Sequence, residues 1–99
     1  MSSHNSDKKI TTVLILDIVG KPEEHLISTL KQLIEKIGEE KGVEIVRNKI
    51  HDPKPMKDKE GFFTTFAEIE VKVDQILSVA MLMFKYMPSH VEVIEPESF

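Results

Sequence analysis

The sequence predicts a two-layer α+β fold, with two helices on one face of a four-stranded antiparallel sheet. Three observations carry this. Apolar periodicity changes along the chain in the order strand–helix–strand–strand–helix–strand. Each half of that order is a split βαβ unit, the repeat from which such sandwiches are built. The 99 residues leave room for one core only.

The elements follow in order. Residues 1–9, MSSHNSDKK, are polar and aperiodic and read as a disordered tail, so the domain is expected over residues 10–97. TTVLILDIV, residues 11–19, is β-branched and almost continuously apolar, as in a strand buried on both faces. Gly20 and Pro22 end it. Pro22 suits a first helical turn, and Glu23 and Glu24 complement a helix N-terminus. Leu26, Ile27, Leu30, Leu33, Ile34 and Ile37 then recur at helical spacing over residues 22–41, and Gly42 stops the helix. VEIVRNKI, residues 43–50, reads as the second strand. HDPKPMKDKEG, residues 51–61, combines two prolines, a glycine and dense charge, which predicts a mobile loop. FFTTFAEIEVKV, residues 62–73, alternates as a third strand. Asp74 is placed to cap a helix running to about Met87, Pro88 and Ser89 break it, and HVEVIEP closes the chain as a fourth strand. With right-handed crossovers this is the ferredoxin-like βαββαβ sandwich, spatial strand order 4-1-3-2.

Composition excludes several classes. Thirteen Lys+Arg against seventeen Asp+Glu give a net charge of −4, which disfavours general nucleic-acid or anionic-membrane binding. The chain has no cysteine, so disulfides, thiol catalysis and thiolate-held metals are out. No apolar run approaches the ~20 residues of a membrane span, and the N-terminus has no signal-like region. A soluble, cytoplasmic protein is expected. Arg47 is the sole arginine and Glu dominates the acids, a Lys/Glu bias in the direction of heat-adapted proteins.

The third strand places Ala67, Ile69, Val71 and Val73 against the helices, so Phe62 and Phe66 are expected on the open sheet face. The first strand is apolar on both parities, and Leu14 and Leu16 join the two phenylalanines as candidate contacts. In the second helix, Ile76, Leu77, Ala80, Phe84 and Met87 would suffice for a core stripe. Val79, Met81, Leu82, Met83 and Tyr86 make it apolar nearly all round, and a helix without a polar face is buried on more than one side. Met83 and Tyr86 are therefore further partner contacts, on a surface that methionine makes adaptable. Two such surfaces on a small domain favour a homo-oligomer, or docking on another protein.

Candidate chemistry is sparse. Topology gathers His25, His51 and His90 with Asp17 and Asp52 at one edge, a donor set suited to a divalent metal but without a recognised spacing. Gly20 and Lys21 before a helix offer an anion free N–H groups and a cation, opposed by Glu23 and Glu24. Glu68 and Glu70 share a strand face, as solvated carboxylates commonly do. There is no Walker loop, GxGxxG or GxSxG, so no catalytic residue and no cofactor is assigned and an enzyme is not expected. KEGFFTTF, residues 59–66, superficially resembles the RNP1 pattern of RNA-recognition motifs, but Glu60 intrudes and the first strand has no matching aromatic.

Two family resemblances add to this. IVGKP, residues 18–22, is similar to the first strand–helix turn of ACT-type regulatory domains, which implies dimerisation and a small-molecule site near that loop. FFTTFAEIE at 62–70 and PSHVEVIEPE at 88–97 resemble small archaeal ferredoxin-like proteins of unassigned function, a likeness that spans most of residues 10–97. Taken together, the expectation is a non-enzymatic interaction domain acting through its open sheet face and second helix. The alternative is a small-molecule or metal-sensing domain at the Gly20–His90 edge, and RNA binding is a lesser one.

Overall fold

The computed structural model describes residues 9–95. Of the expected tail, residues 1–8 lie outside the described residues. Lys9 lies within them, and its Nζ donates to Asp74 Oδ1 at 2.6 Å. Residues 96–97 of the expected domain also fall outside.

Five strands and two helices run β1 (Ile10–Gly20), α1 (Glu23–Glu39), β2 (Val43–Ile50), β3 (Lys54–Pro55), β4 (Phe63–Val73), α2 (Ile76–Tyr86) and β5 (His90–Glu95). The sheet is antiparallel, in the order β2-β4-β1-β5, with β3 paired to β4 outside that path. The chain is thus α+β as expected, but the four-stranded sheet is corrected to five strands. The additional strand is β3, two residues from the segment expected as a loop, where Lys54 pairs with Thr64 and Pro55 with Phe63. Its prolines hid it, because a residue without an N–H signals a break even where an edge strand tolerates it.

Registration of β1 on β4 decides what is core. The pair runs unbroken from Ile10↔Val73 to Gly20↔Phe63 and sets Leu14 beside Ile69 and Leu16 beside Ala67. Side chains alternate, so these residues share one face, which the buried Leu26, Leu30, Ile34 and Ile37 of α1 cover. Leu14 and Leu16 are therefore core and not open-face contacts. A strand apolar on both parities carries no signal of its own orientation. Only the partner register supplies it. Each such fully buried aliphatic contributes about 1.5–3 kcal/mol through removal from water.

Helix α1 is shorter than the expected 22–41, and Pro22 stands outside it as an extended N-cap. After the helix, Gly42 turns with φ +79°, and a Cβ there would lie 2.9 Å from Asp74 Oδ2. The Asp74 N–H donates to the Gly42 carbonyl at 3.2 Å, so one glycine turn and the start of α2 are built against each other. Asp74 does not cap α2. Gln75 holds the N-cap position without a side-chain bond, while the Asp74 carboxylate takes Lys9. At the other end Met87 adopts φ 50°, and its N–H donates to the Met83 carbonyl.

Both edges are bulged. In β2 the register steps from Ile45↔Val71 to Arg47↔Glu70 and leaves Val46 over. In β5 it steps from Glu95↔Thr11 to Val93↔Thr12 and leaves Ile94 over. Both extra residues are pushed into solvent. In the core, the Thr12 hydroxyl is fully buried with no hydrogen-bond partner among the described residues.

Candidate functional site

The open sheet face is built from the odd positions of β1 and the even positions of β4. Asp17 stands opposite Phe66, Ile15 opposite Glu68 and Val13 opposite Glu70, with Lys49 and Arg47 of β2 flanking Glu68 and Glu70. His51, just past β2, stacks on Phe66 with ring centroids 4.0 Å apart, and its Nε2 lies 2.9 Å from Glu68 Oε1. The His51 carbonyl accepts from the Thr65 hydroxyl, which anchors this turn to β4. Arg47 Nε lies 3.2 Å from Glu70 Oε1. The half-buried Val13 and Ile15 are thus fenced by paired charges, and the apolar open face expected from the sequence is corrected to a mixed one.

Phe62 is not on a strand at all. It precedes β4 and closes the β3–β4 turn, its N–H donating to the Lys59 carbonyl and its own carbonyl accepting from Met56 N–H. Lys21 Nζ lies 4.8 Å and Lys59 Nζ 5.6 Å from the Phe62 ring centroid, within cation–π range. Phe62 and Phe66 are half-buried, each faced by a cation or an imidazole.

The suspected metal edge does not assemble. Among the described residues no group of three or more His, Asp or Glu side chains is arranged to hold a metal ion. His51 pairs with Glu68, His90 lies 3.5 Å from Glu92, and His25 and Asp17 are exposed separately. His51 and His90 are each paired with a different glutamate, so the expected set does not converge on one ion among the described residues. Lys21 does border a cleft of ≈ 600 Å³ with Pro22, Glu23, Glu24, Gly61 and Phe63. Gly20 lines no part of it. Its missing Cβ instead accommodates Leu26, whose Cδ2 would lie 3.1 Å from one.

Helix α2 departs most from expectation. Its buried residues are Ser78, Val79 and Leu82. Ile76, Leu77, Phe84 and Met87, expected in the core, are exposed, as are Met81 and Met83. Phe84 is 85% exposed, Met87 81% and Leu77 68%. On a 3.6-residue repeat the five of these within the helix form one continuous arc with Ala80 at its middle, opposite the buried stripe, and Met87 follows at the left-handed C-cap. Of the two candidate contacts on this helix, Met83 lies on the arc. Tyr86 does not, because it packs against the core.

Tyr86 instead fastens the helix. Its hydroxyl donates to Glu40 Oε2 at 2.6 Å, and Lys85 Nζ donates to Oε1 at 2.9 Å and to Oε2 at 2.7 Å. These donors hold the Glu40 carboxyl below its usual range. Burial, then the Glu40 carboxylate, pushes the Tyr86 phenol up to about 12. The bond's contribution to stability is thus complete below the ordinary phenol range near 10 and is lost as pH rises through about 12. Tyr86 is the only tyrosine, so phenolate absorbance reports it directly. A folded-state midpoint near 12 that returns toward 10 in urea is expected, and a midpoint near 10 in the folded protein would remove the tie.

Among the described residues, no helix is long and apolar enough to cross a membrane. No curated protein and no solved structure matches the chain. Nothing found supports the ACT-like resemblance of the first turn, whereas the resemblance to small archaeal proteins of unassigned function fits a family match that spans β1 to β5. That match covers residues 11–99, and the chain belongs to the MJ0538 family.

Proposed function

We propose that this chain is a non-enzymatic interaction domain of ferredoxin-like type that self-associates through the outward face of α2. One observation carries the reading, the continuous apolar arc of α2. Six large side chains between 39% and 85% exposed present on the order of 800 Å². The largest patch on a typical monomer is roughly 300–600 Å², and one partner of a stable complex contributes about 800 Å². The non-enzymatic part is supported by the site chemistry, since His51, Glu68, His90 and Glu70 are occupied in ordinary pairs. The ferredoxin-like part treats β3 as an addition to two split βαβ units. The Lys/Glu bias and the family match fit an archaeal source.

Light scattering behind a sizing column, over a hundredfold dilution, tests this. The wild-type chain should run above its monomer mass of 11.3 kDa. Phe84→Ser should run as a monomer with unchanged circular dichroism, because an exposed side chain adds little to the fold it leaves. A wild-type monomer at every concentration sinks the reading.

A second reading, small-molecule binding beside Lys21, is favoured by the ≈ 600 Å³ cleft there. A melting temperature raised by nucleotides or amino acids, and not raised after Lys21→Ala, would support it.

A further inference from the structure

We infer that the occupant of the α2 face is a second copy of this chain whose α2 lies antiparallel to the first, about a two-fold axis passing beside Ala80. The inference rests on the self-association reading and adds which residues meet.

Two features of α2 argue for this orientation. The first is the distribution of size. Ile76 and Leu77 stand at the N-terminal end, Met83, Phe84 and Met87 at the C-terminal end, and the small Ala80 between them. An antiparallel pair brings each Phe84 onto the Ile76–Leu77 end of the other helix and lets the backbones approach at Ala80. A parallel pair would stack Phe84 on Phe84 and leave the aliphatic ends separated by the bulk of the aromatics.

The second feature is the helix dipole. Two α2 helices laid antiparallel set the positive N-terminal end of each beside the negative C-terminal end of the other, whereas a parallel pair sets like ends together. The interface is then an apolar centre of aromatic, aliphatic and methionine side chains, the usual anatomy of the middle of a specific contact.

A charge-swap series tests the orientation, using the full chain. Leu77→Glu alone and Phe84→Lys alone should each weaken the dimer at least a hundredfold, because each buries a charge against an apolar partner. The double variant, Leu77→Glu with Phe84→Lys, should recover at least tenfold of that loss, since in the antiparallel pair every Glu at 77 meets a Lys at 84. In a parallel pair the double variant sets Glu on Glu and Lys on Lys and recovers nothing. Circular dichroism melts check that each variant is folded.

The outcomes separate the two layers. Single variants that stay dimeric overturn the α2 face itself, as does a wild-type monomer. Monomeric single variants with no recovery in the double overturn the antiparallel pairing and leave the α2 face standing. Recovery in the double alone supports both.

Discussion

Leu14→Ala is expected to cost about 2–5 kcal/mol and to lower the melting temperature by at least about 8 °C, because it opens a cavity between the sheet and α1. Leu14 is fully buried opposite Ile69 at the centre of β1. Its neighbour Val13, on the other parity, is only half-buried among Glu70, Arg47 and Lys49. Val13→Ala should cost less than about 1.5 kcal/mol, with part of the lost area already wet. Paired thermal melts read the difference directly. Equal losses would mean that the parity of β1 is wrong, and the whole assignment of faces would go with it.

Gly42→Ala comes next in size, about 2–3 kcal/mol, as the sum of two penalties. A side chain at φ +79° costs about 1–2 kcal/mol. The added carbon would also press on the Asp74 carboxylate, which Lys9 holds in place. Gly61 provides an internal control. It has φ +86°, but a Cβ added there would meet no atom within 4 Å, so Gly61→Ala should show the backbone penalty alone. If the two substitutions cost the same, the contact with Asp74 contributes nothing. A Gly42→Ala loss that shrinks in an Asp74→Ala background would locate the excess at the carboxylate.

The layered α+β fold was legible because its signals are local. Period-2 alternation in FFTTFAEIEVKV puts Ala67, Ile69, Val71 and Val73 in the core, where they are fully buried. The 3.6-residue stripe of α1 similarly marks Leu26, Leu30, Ile34 and Ile37. Orientation was legible only where the opposite face is polar. It failed for β1, both of whose faces carry aliphatic side chains, and for α2, both of whose arcs do. In α2 the larger arc, with Phe84 and Leu77, is the more hydrophobic, and hydrophobicity alone assigns it to the core. The buried side is the one with Ser78, because a small residue lets the helix settle close to the sheet. That small residue beside Val79 and Leu82 was the available signal, and it reads as a polar interruption unless packing distance is considered. The histidine edge failed for a different reason. Topology brings chain segments together, but convergence on an ion depends on side-chain direction, and His51 is drawn away by Phe66 and Glu68.

The two bulged edges bear on how far assembly can proceed. A sheet grows by offering an unbroken row of backbone donors and acceptors to the next chain. Val46 interrupts that row on one side and Ile94 on the other, and charged side chains such as Arg47, Lys49 and Glu92 stand along both borders. Strand-by-strand polymerisation is therefore disfavoured at either end. If the helix face pairs as proposed, a self-complementary face is used up once two copies meet, and the bulged edges would then leave no row along which a fibre could grow.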